Sequence, residues 1–170
     1  MNKKSARTLL VLSALVMALV ISPAAVSYPN GIQGVKDSGC NCHGAVTSSE
    51  VVPSITGLPD QYNYSETYEI TVSFVGGPSD PSNINQGGFN LWVSDGELSP
   101  SDATVQSYSV NEVSHTEAGN DQTSWTLTWT SPSSDRNVEF VLHTNSVNGN
   151  ADGANGGSSG DMWNLSLIHI

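Results

Sequence analysis

From Val51 onward apolar and polar positions alternate with a period of two, the spacing of a strand that buries one face. Tyr68, Ile70, Val72 and Phe74 alternate with Glu69, Thr71 and Ser73, and Phe89, Leu91 and Val93 with Asn90, Trp92 and Ser94. Trp125, Leu127 and Trp129 alternate with Thr126 and Thr128, and Val138, Phe140 and Leu142 with Glu139, Val141 and His143. Shorter strands are predicted over Val51–Thr56, over Thr104–Val110 and from Met162 to the end. The pattern amounts to about seven strands separated by clusters of Gly, Pro, Asn, Asp and Ser. No stretch of this region carries a helical stripe. Strands wetted on one face suit two sheets packed face to face, so the expected fold is all-β, an immunoglobulin-like β-sandwich, with a closed barrel as the alternative. Trp125 and Trp129 are expected in its core. Tyr28–Gly39 reads as an irregular arm, and Gly76–Gly88 and Asn145–Asp161 as long loops, where binding groups commonly sit.

The first residues follow a different pattern. Lys3, Lys4 and Arg7 precede an apolar run from Leu9 to Ile21, followed by Pro23 and the small residues Ala25-Val26-Ser27. A helix of that length rises about 20 Å, short of a ~30 Å hydrocarbon core. Residues 1–27 are therefore expected to be a signal peptide cleaved after Ser27, an uncleaved anchor being the alternative. Residues 28–50 then form the arm and 51–170 the sandwich. No later run is long and apolar enough to span a membrane as a helix.

Charge narrows the partners. The net charge is −11, and charged residues make up 12% of the chain, against ~25% in ordinary soluble domains. After Ser27 only Lys36 and Arg136 stand against sixteen acids. That excludes a basic face for nucleic acid or for anionic lipid. It fits an exported protein, whether extracellular, periplasmic or cell-surface.

One motif carries chemistry. Cys40-Asn41-Cys42-His43 contains both cysteines of the chain. A disulfide across one residue must bend to meet its geometry and encloses almost no chain, so it makes a poor structural staple. The motif is one residue short of C-x-x-C-H, in which two thiols add to haem vinyls and the histidine ligates the iron. Three readings follow: a c-type-like haem held through Cys40, Cys42 and His43, with one thioether or none; a copper or zinc site using the same soft ligands; or a local clip or free thiols.

Four stretches in order resemble a known family. They are Gly39-Cys40-Asn41-Cys42-His43-Gly44, Thr67-Tyr68-Glu69-Ile70-Thr71-Val72, His115-Thr116 with Trp125-Thr126-Leu127-Thr128-Trp129-Thr130, and the loop from Asn148-Gly149 to Ser159-Gly160-Asp161. Together they are similar to exported prokaryotic Reeler-like (reelin N-terminal domain-like), choice-of-anchor proteins. The resemblance implies a Reeler-like sandwich, a cytochrome-like motif at its entrance and a C-terminal anchor, but no defined activity. His115, read as a loop residue before the Trp125 strand, stands where the family carries a histidine-threonine pair and is expected as the second axial or metal ligand. His143 is expected at the surface.

Asn148, Asn150 and Asp152 match the first half of a calcium loop, N-x-N-x-D-G, but Ser159 stands where its bidentate Glu belongs. A flexible Gly/Asn loop is the plainer reading. Leu165 to Ile170 reads either as a closing strand or as a translated sequencing-adapter fragment that replaces a native end and its anchor, so His169 is given no role. No phosphate loop, G-x-S-x-G elbow or placed carboxylate pair is present. The expected function is non-enzymatic: electron transfer through haem with a redox partner protein, or alternatively a surface module binding a glycan or protein.

Overall fold

A computed structural model of the chain describes residues 29–43, 46–150 and 160–170. The signal-peptide expectation for residues 1–27 lies outside these. Among the described residues nine strands form two antiparallel sheets. β1 (Val52–Thr56), β2 (Thr67–Val75), β7 (Ser124–Thr130) and β4 (Glu97–Pro100) lie in the order β1-β2-β7-β4. β5 (Val105–Ser109), β6 (Glu112–His115), β3 (Gly87–Val93), β8 (Glu139–Ser146) and β9 (Met162–His169) lie in the order β5-β6-β3-β8-β9. The all-β sandwich is therefore the fold, and the barrel alternative is discarded because the sheets close on no common ladder.

The inner faces are the alternating positions read from the sequence. Ile70, Val72, Phe74, Leu98, Trp125, Leu127 and Trp129 of one sheet meet Phe89, Leu91, Val93, Val105, Val113, Phe140 and Leu142 of the other. Trp125 and Trp129 are almost wholly buried. Each indole N–H finds a carbonyl, Trp125 Nε1 donating to Gly119 O at 2.8 Å and Trp129 Nε1 to Asp95 O at 3.2 Å. This lets large aromatic rings enter the core without a stranded donor.

Two strands exceed the expected number. β4 and β6 are four residues long, and each carries one inward aliphatic residue, Leu98 and Val113. A single apolar position sets no period, so these strands form on the ladders of β7 and β3 rather than from their own pattern. β8 also runs on to Ser146, past the apolar alternation, into residues expected as loop.

The arm explains that extension. Residues 30–39 cross the outer face of the five-stranded sheet from β5 to β9. Asn30 O accepts from Gln106 Nε2 and from Tyr108 Oη at 3.0 Å. Ile32 O accepts from Asn90 Nδ2 at 2.8 Å, and Gly34 N donates to Glu112 Oε1 at 2.7 Å. Lys36 O accepts from His143 Nε2 at 3.0 Å, while Lys36 Nζ sits 4.0 Å above the Trp92 ring. The strap buries polar outward residues, Asn90, Ser114 and His143 among them. The surface position expected for His143 is corrected accordingly: it is 2% exposed, because the arm covers a face that alternation alone assigns to water.

Candidate functional site

The arm delivers the cysteine motif to one rim of the sandwich. Gly39, at φ 67°, lies directly against the six-membered ring of Trp163 on β9. Both the left-handed backbone and the absence of any space for a Cβ require glycine there. Its N–H returns to Val35 O at 2.7 Å, closing the turn that precedes Cys40. A single 3-10 turn over Asn41–His43 follows, with His43 N donating to Cys40 O at 2.9 Å.

Within that turn the two thiols face different surroundings. Cys40 is buried and Cys42 exposed, and no bridge joins them. Burial, reinforced by the neighbouring Cys42, pushes the Cys40 thiol up to about 12. Cys40 is thus a neutral packing group at ordinary pH, and only Cys42 is presented to an incoming reagent.

His43 is oriented by a residue the motif does not contain. Its Nδ1–H donates to Asp161 Oδ2 at 2.9 Å. The Asp161 side chain is 2% exposed and is held on its other oxygen by the backbone N–H of Asn148 at 3.0 Å. A buried carboxylate on Nδ1 leaves the Nε2 lone pair outward, the arrangement that carboxylate–histidine pairs use to orient a metal ligand. In the sequence Asp161 stands only at the end of a loop. Its one local signal is its position directly before the last strand, and its pairing spans 118 residues.

His115 is not in a loop. It ends β6 and is 8% exposed, its ring facing the packed pair Phe89 and Trp125, each with centroids 6.4 Å away. Its Nδ1 lies 3.1 Å from Phe89 N and 3.2 Å from Phe89 O. It can accept from the amide or donate to the carbonyl, and in the second tautomer Nε2 carries the lone pair. Burial holds His115 below its ordinary range, the Phe89 bond opposes this, and the charge of His43 lowers it further. Strand register sets both imidazoles at the same end of the five-stranded sheet, where β6 ends beside Phe89 of β3 and β9 begins after Asp161. Gly88 makes room for the ring: a Cβ there would stand 2.5 Å from His115 Nδ1 and 2.6 Å from Nε2.

The structure therefore brings His43 and His115 to one rim, each with Nδ1 tied to protein and neither Nε2 hydrogen-bonded among the described residues. His43 stands part-exposed at the rim, whereas His115 is packed against Phe89 and Trp125; these are the two imidazoles that a haem held here would use. Attachment through two thioethers does not fit, because Cys40 is packed inward while Cys42 faces solvent. Among the described residues no group of three or more His, Cys, Asp or Glu side chains is placed to hold a bare metal ion. Of the calcium candidates, Asp152 lies outside the described residues. Asn148 Oδ1 accepts the backbone N–H of Asn150 at 3.0 Å, a local turn bond.

No protein-family model matches the sequence, and no curated protein matches it. Among solved structures the chain is similar to a human F-spondin reeler domain (TM-score 0.41, 21% identity, 61% of this chain and 79% of that one). It is similar to a second fragment of the same human domain (TM-score 0.39, 18% identity, 59% and 80%). It also resembles AvmM, described as catalysing macrocyclization in alchivemycin A biosynthesis (TM-score 0.40, 12% identity, 73% and 89%). The β-sandwich assignment rests on the sheets themselves. No helix among the described residues is long and apolar enough to cross a membrane.

Proposed function

We propose that the chain is an exported β-sandwich module whose arm and rim hold one haem between the imidazoles of His43 and His115, for non-enzymatic electron transfer with a partner protein. The observation that supports this reading is the shared preparation of the two rings at one end of the sheet: each Nδ1 is engaged, and each Nε2 is left without a hydrogen bond among the described residues. When bound, the haem iron supplies a one-electron couple tuned by its axial ligands and burial. The chain's own residues do the rest. Asp161 holds the Nδ1 proton of His43, fixing the ring plane and the tautomer that leaves Nε2 as the free nitrogen. Gly88 and Trp125 fix His115. Cys42 is the thiol available for a single covalent link, and Cys40 stays in the packing of the arm.

Expression in a host with cytochrome-maturation machinery tests this. The expected product is coloured, with one iron per chain and a Soret band that His43→Ala abolishes and Cys40→Ser leaves in place. Colourless protein without stoichiometric iron from that host refutes it.

A further inference from the structure

The opposite end of the sandwich carries a cleft unrelated to the cysteine motif. It is an open cleft where the β1–β2 connection, residues 60–64, faces the β7–β8 connection, residues 135–137, with Ile170 beside them, and its volume is about 590 Å³. That lies within the roughly 300–1,000 Å³ of small-molecule sites. The rim bearing His43 sits at the Ser146 and Met162 ends of β8 and β9, whereas this cleft lies beyond the Glu139 end. A full strand length separates the two.

Its walls are pinned. Tyr62 stands edge-on to the core residue Trp129, with centroids 5.6 Å apart. Its hydroxyl accepts from Arg136 N at 2.8 Å and reaches Arg136 O at 2.9 Å, tying one loop to the other. Ser65 takes a left-handed conformation, φ 58°, uncommon for a residue with a side chain. Its N–H donates to Pro132 O at 3.0 Å. This bend presents Tyr64, which is 59% exposed, on a backbone held from both sides. A large aromatic ring kept in solvent by a strained, anchored turn is the construction of a binding platform rather than of a core.

Most polar groups around it are uncommitted. The side chains of Asp60, Gln61, Asp135 and Asn137 make no hydrogen bond or ion pair among the described residues, while Arg136, 62% exposed, keeps its Nε 3.8 Å from Asp95 Oδ2 and donates to Ser134 Oγ at 3.4 Å. Carboxylate, carboxamide and guanidinium groups each set two polar atoms side by side. Adjacent hydroxyls of a pyranose ring meet such pairs as donor and acceptor at once, and the C–H face of the sugar stacks on an aromatic ring. An anionic ligand would face two carboxylates against one guanidinium. A cationic ligand would meet the Arg136 guanidinium, and an apolar ligand would strand the polar lining.

We propose that this cleft binds a neutral oligosaccharide, with Tyr64 as the stacking platform and Asp60, Asp135, Arg136 and Asn137 reading the hydroxyls. The test is calorimetric titration of the whole chain with cello-, chito-, manno-, xylo- and laminari-oligosaccharides, with heparin oligosaccharide and hexalysine as charged controls. The expected result is saturable binding of at least one neutral series. Tyr64→Ala and Asn137→Ala should each weaken it about tenfold without moving Tm, and Tyr64→Trp should retain it. No binding by any neutral series overturns the proposal. So does binding that survives the Tyr64→Ala/Asn137→Ala double variant, or tighter binding of either charged control.

Discussion

Gly88→Ala adds one methyl group where β3 runs against the His115 ring. The backbone at Gly88 is not in a left-handed conformation, so alanine is conformationally acceptable and the whole effect is steric. The new carbon would stand 2.5–2.6 Å from both ring nitrogens, against about 3.5–4.0 Å for an ordinary contact. Relief needs a retreat of roughly 1 Å, but Phe89 and Trp125 pack together against the ring and are themselves almost wholly buried. Overpacking of this kind costs about 1–3 kcal/mol. For a domain of this size that lowers Tm by about 4–12 °C, measured by calorimetry or circular dichroism. The companion variant His115→Ala removes the obstacle, so the double variant should be more stable than the sum of the two single losses predicts, with a coupling of about 0.5–3 kcal/mol. An unchanged Tm in Gly88→Ala, or strictly additive losses, would refute the account of how His115 is seated.

Further outcomes follow from the same geometry. Iodoacetamide at neutral pH should alkylate Cys42 rapidly and leave Cys40 unmodified until the chain is unfolded, read by peptide mass spectrometry; equal rates would contradict the burial of Cys40. Hydrogen bonds from Ser82, Asn85 and Ile84 lower the Asp80 carboxyl to about 2. Its stabilising contribution is therefore complete above the unfolded value near ~3.9 and is lost as pH falls toward 2. Asp80→Asn should flatten the Tm profile in that window. Burial lowers both His115 and His143. The unfolded chain then takes up protons first as pH drops through ~6.5, and stability should fall between about pH 7 and 5. A Tm independent of pH across that interval would contradict their burial as neutral rings. Asp161→Asn should reduce haem retention by about 10- to 100-fold while leaving the sandwich folded, measured by Soret titration with hemin.

Much of the sandwich was legible because a strand's face preference is local: each inward position of β2, β3, β7 and β8 is set by its own neighbours two residues away. β4 and β6 were not, since one apolar residue apiece carries no period and their existence depends on partner ladders. The site divides along the same line. Cys40, Cys42 and His43 announce themselves by adjacency, but their unequal exposure does not, because it depends on Gly39 settling against Trp163 from the far end of the chain. His115 changes from loop residue to buried ring once β6 pairs with β3.

By itself, then, the sequence determined the fold class, the two-sided strands and the chemistry gathered at residues 40–43. Tertiary structure alone decided which polar residues are buried. An arm laid across five strands withdraws Asn90, Ser114 and His143 from water, and Asp161 reaches His43 across 118 residues. Such contacts join segments whose residues carry no mutual signal along the chain, and they exist only once the sheets have brought those segments into register.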